Sequence, residues 1–279
     1  MFKNYLELNN TELEKLIEFI NKNKENKLSF EEIDKQFKAE EYDFGRGVIF
    51  KVSEGNVIGR VSVVLKECTK KGIAYAFNLD LSEGIENYEV IISEIIEKVK
   101  EISHKYGANE IFLGVNNEKI IKALKSLNIN KQYSSVKMTL DDRVIRDTPL
   151  NLIKLSENNK KEYLDIYNDA FKEVPNGQTL TENEVEDYVK GNCEGKYYYI
   201  VAADTEMIGF LQFDIKNGVG EFDLGLIKAA RGRGYGKRLL ETAINFLNSE
   251  KVTEISLTVI TKNIIAYDMY KKGDLKIVN

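Results

Sequence analysis

Between Arg231 and Arg238 the chain reads RGRGYGKR, three glycines and four basic residues in eight positions. An apolar-periodic stretch, LLETAINFL, follows at once. Glycines just ahead of a helix let backbone N–H groups approach a ligand closely, and the helix N-terminus attracts anions. The chemistry on offer is the holding of a phosphate or diphosphate. A second stretch, LTVITKNIIAYDMYKK, spaces Asn263, Ala266 and Tyr270 at intervals of three and four, which puts them on one helix face. A phenol with a pKa near 10 stays protonated at neutral pH and can act as a proton donor. Glu221 and Asp223 stand two apart on a strand-like run just before the glycines, so they share a face and supply carboxylates that can accept a proton.

The glycine spacing separates the phosphate motifs. A nucleotide P-loop needs glycine five residues ahead of the Gly-Lys pair and Ser or Thr after it, where this chain has Arg231 and Arg238. The dinucleotide fingerprint G-x-G-x-x-G fails as well, because Gly232, Gly234 and Gly236 run G-x-G-x-G. What fits is R-x-x-G-x-G over Arg231, Gly234 and Gly236. It resembles the coenzyme A pyrophosphate loop of the GNAT family of acyl-CoA N-acyltransferases, and the Asn263, Ala266, Tyr270 spacing is similar to that family's next motif.

The resemblance implies an acetyltransferase with acetyl-CoA as co-substrate and no metal, moving the acetyl group to a primary amine by direct attack on the thioester. By the same resemblance Arg231, Gly232, Arg233, Gly234, Tyr235, Gly236 and Lys237 hold the pyrophosphate, with Arg238 adding attraction. The backbone of Leu224, Gly225 and Leu226 pairs with the pantetheine arm, and Asn263 hydrogen-bonds the cofactor. Tyr270 protonates the departing thiolate. Glu221 and Asp223 are the candidates for the base, although the family's own glutamate position falls nearer Gly220.

The elements that must position these residues follow from the patterning. KYYYIVAA and MIGFLQFDIK read as a hairpin, EFDLGLI as a third strand, then the helix after the glycines, the strand EISLTVI and the helix KNIIAYDMYKK. The first half repeats the order: a hairpin turning at Glu54-Gly55-Asn56, the strand IAYAFNLDL, a long helix from NYEVII onward, EIFLGV, a helix over NEKIIKALKSL and a closing strand in QYSSVKMTL. The fold class is α/β, with two GNAT-like domains, each a mixed, largely antiparallel sheet flanked by helices. The polar stretch DDRVIRDTPLN marks the boundary, giving 1–145 and 149–279. Where the second half has its glycines the first has SEGIENYE, and acid there repels a diphosphate. Lys119 falls near the place of Asn263, and Ser126 or Leu127 near that of Tyr270. The first domain is therefore expected to keep the fold without the cofactor site, and the second to be catalytic. The second half ends soon after Tyr270, so its sheet is expected to lack a partner strand and to rely on the first half for cover.

Composition narrows the remaining classes. With 279 residues, 43% hydrophobic and 30% charged, the chain is long enough for two packed domains. The net charge of -5 lacks the basic surplus of a protein that tracks nucleic acid. Cys68, Cys193 and the single His104 have no metal-ligand spacing. No run is apolar enough to span a membrane, and a cytoplasmic location is expected. The acceptor region is expected in DAFKEVPNGQTLTENEVEDYV, whose acidity favours a cationic small-molecule or peptide amine. Two other readings remain: a non-catalytic CoA-binding regulatory module, and transfer of a different acyl group or to a hydroxyl.

Overall fold

The computed structural model describes every residue except 23, 141–148, 192, 193 and 279. Most of the expected boundary stretch, and Cys193, lie outside the described residues. The chain divides into two units, Met1–Asn130 and Lys131–Asn279.

In the first unit β1 (Phe2–Asn4), β2 (Val48–Ser53), β3 (Asn56–Val64), β4 (Ile73–Leu81) and β5 (Glu110–Leu113) form a sheet in that order. Only the β4–β5 pairing is parallel; the others are antiparallel. The β2–β3 hairpin turns where the sequence places it, with Glu54 and Gly55 both at positive φ. Helices α1 (Asn10–Asn21) and α2 (Phe30–Phe37) begin at Asn9 and Ser29, each with a reciprocal capping box to a glutamate three residues on. Their apolar faces, Leu16, Ile20, Ile33 and Phe37, pack on Phe50 and Val48. The helix α3 (Lys66–Lys71) is short. Helices α4 (Tyr88–Lys105) and α5 (Glu118–Ser126) add Ile92, Ile95, Val99, Ile120 and Leu124 to a second core with Val61 and Val63.

The second unit holds β6 (Ser135–Leu140), β7 (Asn151–Lys154), α6 (Lys160–Phe171), α7 (Glu182–Val189), β8 (Lys196–Ala203), β9 (Glu206–Lys216), β10 (Val219–Leu226), α8 (Tyr235–Ser249), β11 (Glu254–Ile260), α9 (Ile264–Lys272) and β12 (Leu275–Ile277). Its seven strands run β12-β6-β11-β10-β9-β8-β7. The β10–β11 pair is parallel and the rest antiparallel. The stripe Leu239, Leu240, Ala243, Ile244 and Leu247 of α8 packs on Phe222, Ile255 and Leu257. Tyr163 and Tyr167 of α6 pack on Phe210 in a separate cluster with Val185 of α7.

This topology corrects two expectations. The strand QYSSVKMTL does not complete the first sheet: β6 lies between β11 and β12, with Leu140 opposite both Ile255 and Leu275. The second sheet therefore does not lack a strand beside β11. The physical reason is register: Met138 and Leu140 are buried, and pairing β6 with β11 places them in the second core with Leu257 and Leu275. A strand of alternating polarity takes whichever edge buries its apolar face.

Candidate functional site

The decisive feature of the second sheet is where β10 leaves β11. Their pairing covers only Val219, Gly220 and Glu221 against Glu254, Ile255 and Ser256. On its other side β10 stays paired with β9 as far as Leu226. From Phe222 onward β10 and β11 part, and Leu224, Gly225 and Leu226, the segment assigned to the pantetheine arm, run along the opening.

Gly225 is small for a local reason as well: a Cβ there would lie 2.5 Å from the Phe210 ring and 2.9 Å from Ala170 Cβ. Helix α6 crosses β10 at this point. Beyond β10 the chain makes a single 3-10 turn, Lys228–Ala230, and reaches the glycines. Gly232 has φ 75° and Gly234 φ 82°, the left-handed region that glycine adopts without steric cost. A Cβ on either would meet no atom within 4 Å, so both face open space. Gly234 is the N-cap of α8 and brings no side chain to cap the helix N-terminus. The first-turn N–H groups of an α-helix have no intrahelical acceptor, and they carry the positive end of the macrodipole. A cradle of this kind fits a diphosphate. Gly236 serves helix packing, since a Cβ there would come 3.0 Å from Met269 Sδ on α9.

The basic side chains are arranged differently from the sequence expectation. Arg231 donates to the Ala170 carbonyl at 2.8 Å, to the Leu226 carbonyl at 3.3 Å and to Glu173 at 3.4 Å. Its guanidinium clips the loop to the end of α6. Arg233 makes two 3.1 Å bonds to Glu206 and lies over the Tyr235 ring. Lys237 pairs with Glu241 at 3.8 Å, and Arg238 also lies over the Tyr235 ring. Asp169 accepts from the Lys228 backbone N–H at 2.6 Å, and Glu173 from Lys228 Nζ at 2.7 Å. Much of the local positive charge is thus met by carboxylates. Glu206, Asp169 and Glu173 lie far from the loop in sequence and no short-range pattern links them to it; Asp169 and Glu173 belong to the acidic stretch expected near the acceptor.

Asn263 is the N-cap of α9 and accepts from the Ala266 N–H at 3.4 Å. It fixes the phase of a helix that carries Tyr270 inward, where the side chain is 7% exposed. Burial, reinforced by the charge of Asp223, pushes the Tyr270 phenol well above its usual range. Asp223 is exposed on β10; the protein packed near it and the neighbouring Glu221 charge raise its carboxyl above the usual aspartate range. Glu221 is held otherwise: Lys137 of β6 is 3.2 Å away and the Ser256 hydroxyl donates to it at 3.4 Å. The Asp223 charge thus bears on the Tyr270 phenol, while Glu221 is occupied by partners.

The first unit repeats the backbone of this site with other side chains. Its loop also has a left-handed glycine, Gly84, and a left-handed N-cap, Asn87. Glu83 there pairs with Lys22 at 3.0 Å, and Glu89 sits in the first turn of α4. The residue that caps α5 as Asn263 caps α9 is Asn117, not Lys119. Counting seven residues on, Leu124 takes the place of Tyr270, rather than Ser126 or Leu127, and no phenol stands there. The parting of the strands is also delayed: β4 pairs with β5 through Ala76 and Leu113, and the Gly114 N–H donates to the Ala76 carbonyl at 2.8 Å.

Among the described residues no cluster suited to a metal ion occurs, and no helix is long and apolar enough to cross a membrane. A cavity of about 540 Å³ lies between Asp165 and Asp169 of α6 and Ile227–Ala229. It adjoins the end of β10 without including Asp223 or Tyr270.

A family model described as the acetyltransferase (GNAT) family matches residues 160–273. No curated protein matches the chain. Among solved structures, a GCN5-related N-acetyltransferase from Sphaerobacter thermophilus aligns with a TM-score of 0.58 at 12% identity, over 96% of this chain and 88% of that one. A GNAT-family acetyltransferase from Colwellia psychrerythraea gives 0.55 at 10% identity, over 100% of this chain and 96% of that one. A GCN5-related N-acetyltransferase from Kribbella flavida gives 0.61 at 13%, over 93% of this chain and 64% of that one. Identities so low carry the fold alone, and the alignments extend it over the N-terminal unit. Residues 160–273 thus match the acetyltransferase (GNAT) family, and the fold of the GNAT structures extends over the first unit of the same chain.

Proposed function

We propose that the second unit transfers an acetyl group from acetyl-CoA to a primary amine, and that the first unit keeps the fold without a cofactor site. The observation that carries this reading is the parting of β10 from β11 after Glu221, with Leu224–Leu226 along the opening and the left-handed glycines ahead of α8 at its end. An amine arrives as ammonium and must lose a proton before it attacks a thioester carbonyl. Asp223 takes that proton, and its raised pKa makes it a stronger base than an ordinary aspartate. Glu221, engaged by Lys137 and Ser256, is the weaker candidate.

Attack forms the amide bond and breaks the carbon–sulfur bond. Tyr270 supplies the proton to the thiolate that leaves and regains one from the nitrogen, which sheds its second proton as the amide forms. Because its phenol titrates high, it remains a donor across the neutral range. The amides ahead of α8 hold the diphosphate, and Leu224, Gly225 and Leu226 offer backbone groups to the pantetheine arm. Asp165 and Asp169, which line the cavity beside the end of β10, favour a cationic acceptor.

The test is thiol release from acetyl-CoA against a panel of amines that includes polyamines, amino sugars, amino acids and peptide N-termini. Amine-dependent thiol release with acetylated product supports the reading. Acetyl-CoA binding without turnover on any amine would favour a regulatory CoA-binding module instead.

A further inference from the structure

The two units share a register along their central strands. Gly59 of β3 stands opposite Leu81 of β4, as Gly209 of β9 stands opposite Leu226 of β10. Three residues beyond these glycines come Ser62 and Gln212, and three before the leucines come Asn78 and Asp223. Val61 packs with α4 as Leu211 packs with α8, so Ser62 and Gln212 occupy the opposite face of their sheets. Asn78 thus takes in the first unit the place of the base proposed in the second.

Around that place the first unit keeps a cavity of about 530 Å³, with Ser62 and Asn78 on the sheet side and Glu32, Gln36, Phe37 and Tyr42 opposite. Its volume is that of a small-molecule site, and none of these residues has a part in acetyl transfer as proposed above.

Two polar groups of the sheet open onto it. Strand β4 has one residue more than β3 between the pairs Ser62–Phe77 and Arg60–Asp80, and Asn78 within that bulge has φ 55°. Bulges re-aim side chains, and a left-handed conformation costs a residue other than glycine. The matching pair in the second unit, Gln212–Asp223, is in regular register. Ser62 is 1% exposed and lines the cavity, and its hydroxyl makes no hydrogen bond among the described residues. A buried hydroxyl left in this way is costly, and a hydroxyl from a ligand would meet it. The amides of Asn78 and Gln36 are likewise without partners among the described residues.

The charges of the lining narrow the ligand. An amide stands where the second unit has the carboxylate of Asp223, and the charged groups of the wall are of both signs, Glu32 and Glu41 against Lys35. No concentration of one sign draws an amine or an acid, and no guanidinium fork lines the cavity. Hydroxyl and amide groups, which both donate and accept, remain beside the apolar Phe37 and the ring of Tyr42.

We propose that this cavity binds an uncharged monosaccharide, its hydroxyls paired with Ser62, Asn78 and Gln36 and its C–H face against Phe37 and Tyr42. A planar amide donates to one hydroxyl and accepts from its neighbour, a match for the adjacent hydroxyls of a sugar ring.

The experiment is calorimetric titration of the full chain with the common neutral hexoses and pentoses, and with glucosamine and glucuronate. Acetyl-CoA is left out, so the outcome does not depend on acetyl transfer. At least one neutral sugar binds saturably and more tightly than either charged one. Asn78→Gly removes the amide and relieves the left-handed backbone, so the variant folds while affinity falls about tenfold. Ser62→Ala lowers affinity by about the same factor. Absence of binding by every neutral sugar at millimolar concentration would overturn the proposal. So would tighter binding of glucosamine or glucuronate than of any neutral sugar, or affinity retained in both Asn78→Gly and Ser62→Ala.

Discussion

The guanidinium of Arg231 donates to the carbonyl oxygen of Ala170 at 2.8 Å and so joins the loop that precedes α8 to the end of α6. The first basic residue of the glycine motif is a fastening within the fold. Together with its bonds to Leu226 and Glu173 it makes three contacts inside the protein. Arg231→Ala is expected to lower stability by about 1 kcal/mol, a value reduced by partial exposure, and to weaken acetyl-CoA binding only through disorder of the loop. Arg233→Ala, which releases an exposed pair with Glu206, should leave stability nearly unchanged. Chemical denaturation of the two variants checks the difference.

Gly234→Ala separates two costs. A Cβ there meets no protein atom, so the loss of stability is confined to the left-handed backbone, about 1 kcal/mol. The same Cβ projects into the space assigned to the diphosphate, and affinity for acetyl-CoA should fall by more than that amount. Gly225→Ala is predicted to do the reverse. Its Cβ would stand 2.5 Å from Phe210, and overpacking costs about 1–3 kcal/mol or more. Denaturation and binding measured on the same preparations distinguish the pair.

Asp223 yields a pH prediction with a definite sign. Its carboxyl is raised in the folded protein by its surroundings and by Glu221, and a base works when ionised. The acidic limb of kcat/KM should lie above the ordinary aspartate range, with activity falling as pH drops through it. For stability the folded state binds the proton more tightly, so stability declines as pH rises from the ordinary aspartate value through the raised one. Asp223→Asn should abolish that decline and be at least as stable as the parent at neutral pH, while kcat/KM falls by about 10²-fold or more. Loss of stability and activity together would make Asp223 a structural residue.

Tyr270→Phe is expected to lower turnover by about 10²-fold with acetyl-CoA affinity nearly unchanged, because a proton given to a developing thiolate matters only in the transition state. Single-turnover kinetics with saturating acceptor provides the measurement. Unchanged turnover would leave Tyr270 as one of the packed residues of the core around α8.

The site's backbone was readable because its signals are local. Glycines at fixed spacing before an apolar-periodic run announce Gly234 and α8, and intervals of three and four place Asn263, Ala266 and Tyr270 on one face. What was not readable depends on distant partners. The segment Ser135–Leu140 is a strand by its own alternation, but its place between β11 and β12 is decided by which core receives Met138 and Leu140. Nothing local pairs Arg233 with Glu206 or Lys137 with Glu221. In the first unit a cap, Asn117, sets the phase of α5 and so the register of the residues that follow, because helix boundaries are set by such caps more than by periodicity.

The place of β6 has a consequence for fragments. A chain of residues 148–279 lacks β6 and exposes the ladder edge of β11, a condition that favours aggregation. A chain of residues 131–279 retains it. The longer fragment should be the more soluble of the two, as sedimentation of matched preparations would reveal; equal solubility would mean that β6 is dispensable.

Titration of the full chain with acetyl-CoA, alongside Gly234→Val, tests the central claim most directly. The account predicts one site per chain, lost in Gly234→Val, because the first unit meets a diphosphate with Glu83 and Glu89 where the second offers glycine and bare helix amides. Two equivalent sites, or unchanged affinity in Gly234→Val, would contradict it.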